Sequence, residues 1–92
     1  MKNVLITTKH KGVFFGQVAE DCDLSQETIR GIQRPVMVIR WRTNEGLLGL
    51  TNDFNESEVL LSKEGAEIEI LHGVTMITTV EEAAAKKVWK TK

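Results

Sequence analysis

Thr7-Thr8-Lys9-His10-Lys11-Gly12-Val13-Phe14-Phe15-Gly16 is the stretch whose reading decides the fold. Before it, Val4, Ile6 and Thr8 alternate with Leu5 and Thr7, the period of a strand. Lys9 to Gly12 is a polar, basic turn in which Gly12 is free to take positive φ. Val13 to Ala19 then reads as the hairpin partner. Phe14 and Phe15 point opposite ways, so one enters the core and the other faces an interface or pocket. Gly16 among these rings marks a bulge or a close approach.

Working outward, Glu20 to Glu27 is an acidic loop with room for one helical turn capped by Ser25. Thr28 to Arg34 is a weak strand or a lead-in. Pro35 opens Val36-Met37-Val38-Ile39-Arg40-Trp41-Arg42, the strongest strand in the chain. Met37, Ile39 and Trp41 share one of its faces and read as core, while Arg40 and Arg42 share the other. Thr43 to Gly46 is a turn, and Leu47 to Leu50 returns from it as a short strand. Asn52 to Glu58 is a polar loop, and Val59 to Leu61 is a short apolar piece. Glu67 to Leu71 alternates, His72-Gly73 breaks it, and Val74 to Thr79 resumes in β-favouring residues.

The one helix comes last. Thr79 and Glu82 have capping-box spacing, and Glu82 pairs with Lys86 at i,i+4. Ala84, Ala85, Val88 and Trp89 form its apolar stripe. A helix of about a dozen residues is marginal alone, so it must dock, with Trp89 as the anchor. The predicted class is therefore mainly β (α+β). It is a small twisted antiparallel sheet or barrel with one C-terminal helix, in a single domain over 1–92.

Composition narrows the function. One cysteine, Cys22, rules out an intrachain disulfide and fits a reducing cytosol. One Cys and two His cannot supply the ligands of a structural zinc site. A net charge of -1 argues against a nucleic-acid binder. The first apolar run, Val4 to Ile6, is too short for a signal-peptide core or a membrane span, so the chain reads as soluble and cytoplasmic.

Strands apolar on both faces need cover on both faces. Val13 to Val18 and Val36 to Ile39 have this character, and one short helix cannot cover both sides. A second copy is the expected cover, making the chain a homo-oligomer.

The chain carries no Gly-x-Ser-x-Gly, P-loop, Gly-x-Gly-x-x-Gly, His-x-x-x-His or Cys-x-x-Cys. No acid/base pair stands at workable spacing, so the expectation is a protein that is not an enzyme, with no cofactor and no metal. Asp53-Phe54-Asn55-Glu56-Ser57 resembles the start of a calcium loop, with Glu64 at the twelfth position. Glu58, however, stands where the sharp turn demands glycine. The candidate ligand-binding residues are the two basic-aromatic clusters. Lys9, His10, Lys11, Arg40 and Arg42 suit phosphate, and Phe14 or Trp41 can stack on a base.

The opening motif, the later Trp41, Gly46-Leu47-Leu48-Gly49-Leu50, and Gly73-Val74-Thr75 before a Glu/Ala helix together resemble a small phage and prophage family. Its members carry a Thr-Thr-x-His-x-Gly-Val-Phe-Phe-Gly opening and a closing helix with tryptophan, and the family has no established function. Asn52 to Glu58 departs from its pattern. The resemblance implies a small protein that acts by binding in the host cytoplasm, as those that sequester nucleotide immune signals do. The leading expectation is a homo-oligomer holding a small anionic ligand, such as a nucleotide, at a subunit interface. The alternatives are a protein-interaction module that inhibits a host protein or joins a phage assembly, and single-stranded nucleic-acid binding.

Overall fold

The expected hairpin is present in a computed structural model, which describes residues 1–9, 12–42, 46–52 and 54–89. β1 (Lys2–Thr8) and β2 (Val13–Val18) pair antiparallel, with Leu5 opposite Phe15 and Ile6 opposite Phe14. The turn closes through Thr8 N–H to the Gly12 carbonyl at 3.0 Å. Phe15 is fully buried and Phe14 half-buried, so Phe15 is the core member of the pair.

β3 is one strand of 13 residues, Ile29–Trp41. Pro35 lies inside this strand instead of opening it, and the weak lead-in at Thr28 to Arg34 is its first half. The strand absorbs the proline by bending. Gly31 (φ 66°) and Arg34 (φ 50°) both lie in the left-handed region. The β2–β3 register shifts between Phe15 and Gln17 at the same place. The segment 59–71 then runs back along the free edge of β3. β4 (Val59–Leu61) pairs with its end and β5 (Ile68–Leu71) with its beginning. β6 (Val74–Thr79) pairs with β1, so the order is β4-β3-β2-β1-β6 with β5 also on β3. The six-stranded antiparallel sheet is not closed. Only His72-Gly73 separates β5 from β6, which lie on opposite sides of the sheet, so the sheet must curl strongly.

Two apolar clusters result, one on each face. The first joins Leu5, Phe15, Val36, Val38, Leu50 and Phe54 to Ala84, Ala85 and Trp89 of the helical end. The second joins Val4, Ile6 and Val18 to Ile29, Ile32 and Val74, with Cys22, Leu24, Ile68 and Leu71 packed against it. This narrows the premise behind the expected oligomer. The helix is not the only cover: the bent half of β3, β5 and the 22–24 segment pack over the second cluster from within the chain, while Met37 and Ile39 on the same face stay exposed.

Three local expectations are also corrected. Leu47 to Leu50 forms no strand: Gly46–Thr51 is a 3-10 turn that buries Gly49 and Leu50. It caps the first cluster, and burial of Leu50 outweighs a tendency to extend. The helix α1 spans Glu82–Val88, with Glu81 at its N-cap and no side-chain cap bond. Thr79 ends β6 instead, so the capping box is not formed. The Glu82–Lys86 pair is present at 3.6 Å, and the stripe of Ala84, Ala85 and Trp89 is buried as expected. Met37 and Ile39 are not core. They are 43% and 56% exposed, whereas Val36 and Val38 are buried.

In the acidic loop, Asp23 rather than Ser25 does the capping. Its carboxylate accepts from the Ser25 backbone N–H at 2.9 Å, the Ser25 hydroxyl at 2.6 Å and Gln26 Nε2 at 3.1 Å. The Ser25 hydroxyl and then its N–H, followed by the Gln26 amide, hold the Asp23 pKa down from 3.8 to about 2. A depressed carboxylate pKa stabilises the fold above the unfolded value. The contribution is therefore lost as pH falls from 3.8 towards 2. NMR titration of the Asp23 carboxyl carbon should show the low midpoint, and Ser25→Ala should return it towards the ordinary value.

Candidate functional site

β1 ends, β2 begins and β3 ends at the same end of the sheet, so Phe14 of the first basic-aromatic cluster comes to the end where Arg40-Trp41-Arg42 lies. A β-bulge decides how. Val38 pairs with Leu61, Arg40 with Leu60 and Trp41 with Val59, so Ile39 and Arg40 together oppose Leu60. Directly opposed residues share a face. Arg40 therefore lies with Ile39 and Leu60 on the face away from α1, and Trp41 returns to the helix face beside Val59. The side chain of Trp41 is half-buried against the first cluster. Arg42 continues the ladder, its N–H donating to the Glu58 carbonyl at 2.9 Å, and alternation returns it to the face of Arg40.

Phe14 opposes Met37, so it shares that face too. The result is a strip across β2, β3 and β4. Phe14 is half-buried; Met37, Ile39 and Leu60 are 43%, 56% and 46% exposed; Arg40 and Arg42 stand at its end. Exposures of this size mark an open surface, not the wall of a cavity. Among the described residues neither Arg40 nor Arg42 makes an ion pair. Nearby acids are engaged elsewhere: Glu67 accepts from Gln33 Nε2, and Glu64 pairs with Arg34 at 2.9 Å. Two unneutralised guanidinium groups beside exposed apolar side chains can hold carboxylate or phosphate with an apolar neighbour.

The other candidates fall elsewhere. Lys9 is bonded through its N–H to the Gly73 carbonyl at 2.9 Å, and its side-chain carbons lie over Gly73. That places it on the β1–β6 side, two strands and about 10 Å from β3. His10 and Lys11 lie outside the described residues. Sequence reasoning missed Met37, Ile39 and Leu60 as surface. The alternation of Val36 and Val38 was equally legible there, but only the bulge shows which alternate set turns outward. Among the described residues no three His, Cys, Asp or Glu side chains gather as a metal site requires. None of their helices is long and apolar enough to cross a membrane. Shallow grooves lie apart from the strip. One runs between Leu24–Glu27 and the start of β6, and another lies between α1 and β4.

A model of a domain of unknown function, DUF6948, matches residues 1–88. No curated protein and no solved structure matches the chain.

Proposed function

We propose a non-enzymatic binding role for this chain, which belongs to the DUF6948 family over residues 1–88. It is a protein-interaction module whose docking surface is the strip of Phe14, Met37, Ile39 and Leu60 edged by Arg40 and Arg42. The carrying observation is the combination of exposed aliphatic side chains on two adjacent strands, flanked by Phe14, with two arginines that have no acid partner among the described residues. Small-molecule sites are usually concave, whereas a flat apolar patch with a cationic margin suits a protein surface carrying carboxylates. The resemblance to phage and prophage proteins supplies a setting in the host cytoplasm, with a host enzyme to inhibit or a phage assembly to join.

A second reading draws on Phe14 sharing a face with both arginines. A nucleotide immune signal would stack on the ring and set its phosphates on Arg40 and Arg42, with a second copy closing the site. The chain would then act as a sponge.

Two measurements separate the readings. In affinity capture, Ile39→Glu/Leu60→Glu should lose a protein that the wild type retains, and Arg40→Ala/Arg42→Ala should weaken the same capture. Retention unchanged in both variants would remove the interaction reading. In calorimetry against cyclic nucleotides and ADP-ribose derivatives, heat that disappears in Arg40→Ala/Arg42→Ala would favour the nucleotide reading instead.

A further inference from the structure

The two edges of the sheet are built differently. The β4/β5 edge is broken into strands of 3 and 4 residues and carries Lys63, Glu64, Glu67 and Glu69, which discourage pairing. β6 has 6 residues, Val74-Thr75-Met76-Ile77-Thr78-Thr79, with no charge, proline or glycine. It ends the strand order, and its outer side opens on the groove shared with Leu24–Glu27. An uncharged edge rich in β-branched residues is a template for another strand.

We propose that a second copy of this chain pairs with this edge, β6 against β6, antiparallel about Ile77. The register follows from the chain itself. Opposed residues must share a face, and the β1 pairing puts Met76 and Thr78 on the helix face and Ile77 on the other. A two-fold axis at Ile77 sets Ile77 against Ile77 and Met76 against Thr78, each like with like in orientation. Ile77 already packs against the second apolar cluster, so the axis continues that cluster into the second copy.

The lengths agree as well. The Glu27 carbonyl accepts from Val74 N–H at 2.9 Å and closes the edge there. The β1–β6 register shifts beside Thr75 and marks the same limit. At the opposing position the second copy's strand is ending, its last bond to β1 running from Val80 N–H to the Asn3 carbonyl. Val80 is buried in the helix-side cluster, and Glu81 N–H is bonded to the Thr51 carbonyl. No charge opposes a like charge within the ladder. At its ends Lys9, over Gly73, comes towards Glu81 of the second copy, with Glu27 as a further acid beside it. The strip of Met37, Ile39 and Leu60 is separated from β6 by β1 and β2 and stays free, so this pairing and the proposed docking surface stand or fall separately.

Sedimentation of the full chain up to hundreds of micromolar tests it. The wild type should form dimers. Met76→Lys/Thr78→Lys sets lysines opposite each other twice and should leave monomers; Met76→Glu/Thr78→Lys sets opposite charges there and should regain the dimer. Circular dichroism confirms that each variant is folded. Hydrogen exchange on the wild type adds a readout without mutation, since the amides of Ile77 and Thr79, which face away from β1, should gain protection as concentration rises. A monomeric wild type overturns the proposal and leaves the edge to an extended segment of another protein. A dimer unaffected by Met76→Lys/Thr78→Lys overturns it too, as does one lost in both variants.

Discussion

Trp89→Ala should destabilise the protein by about 3–5 kcal/mol, the cost typical of deleting a buried aromatic side chain. A domain of this length has about 5–14 kcal/mol in total, so the loss takes a large share of it. Trp89 is 5% exposed and meets Phe15 edge-on, with ring centroids 6.1 Å apart. Its indole N–H donates to the Arg34 carbonyl at 2.8 Å. Arg34 is the one described non-glycine residue with positive φ, at the bend that brings the first half of β3 over the second face. The indole thus ties the end of the chain to the strand bend. Trp89→Phe keeps much of the packing but leaves that carbonyl unpaired, and should cost about 1–3 kcal/mol. Urea denaturation followed by far-UV circular dichroism gives both values, with a shifted midpoint and unchanged slope. A midpoint for Trp89→Ala equal to that of the wild type would show that the helical end does not dock as described.

Periodicity carried much of the fold. Alternation in Val4 to Thr8 and the Ala84, Ala85, Trp89 stripe each reflect one local period, Val74 to Thr79 was marked by β-favouring residue types, and each element is present. What periodicity could not carry were features set by distant residues. Pro35 reads as a strand opener because no local signal says that Gly31 and Arg34 will bend the chain and let the strand continue through it. Leu47 to Leu50 reads as a strand by residue type, yet it has no partner in the sheet and curls to bury Leu50. Met37 and Ile39 looked like core beside Trp41, since strict alternation groups them. The bulge opposite Leu60 breaks that alternation and sends Trp41 to the other face.

The same bulge explains why the candidate site was only half legible. Residue type marked Phe14, Arg40 and Arg42, and the structure brings these three onto one face. Their apolar neighbour Leu60 came from β4, a three-residue strand whose register no local pattern encodes. Lys9 looked equivalent to the arginines in sequence, but the antiparallel order sends it to the β6 side. The chain's own cover for the second cluster also came from long-range folding. The chain thus covers part of the second face itself and leaves Met37 and Ile39 open, and the β6 edge is a more specific reason to expect a second copy.

Gly16→Ala should destabilise the protein by about 1–3 kcal/mol, although alanine is the smallest possible addition. A β-carbon at Gly16 would lie 2.4 Å from Cγ2 of Ile32. That is far inside contact distance, so one of the two must move. Gly16 is buried and sits where the β2–β3 register shifts, and Ile32 is fully buried in the second cluster. Neither side has free space, because β5 pairs with Ile32 through Ile68 from beyond. The glycine therefore reflects a close approach between β2 and the bent half of β3. The test is a double-mutant cycle. Ile32→Ala alone removes the clashing methyl but leaves a cavity, costing about 2–5 kcal/mol. With Ile32→Ala already present, the added Gly16→Ala should cost almost nothing or recover stability, a coupling of about 1–3 kcal/mol. Purely additive changes would mean that the two strands do not meet at this point, and the seal over the second apolar cluster would lose its central contact.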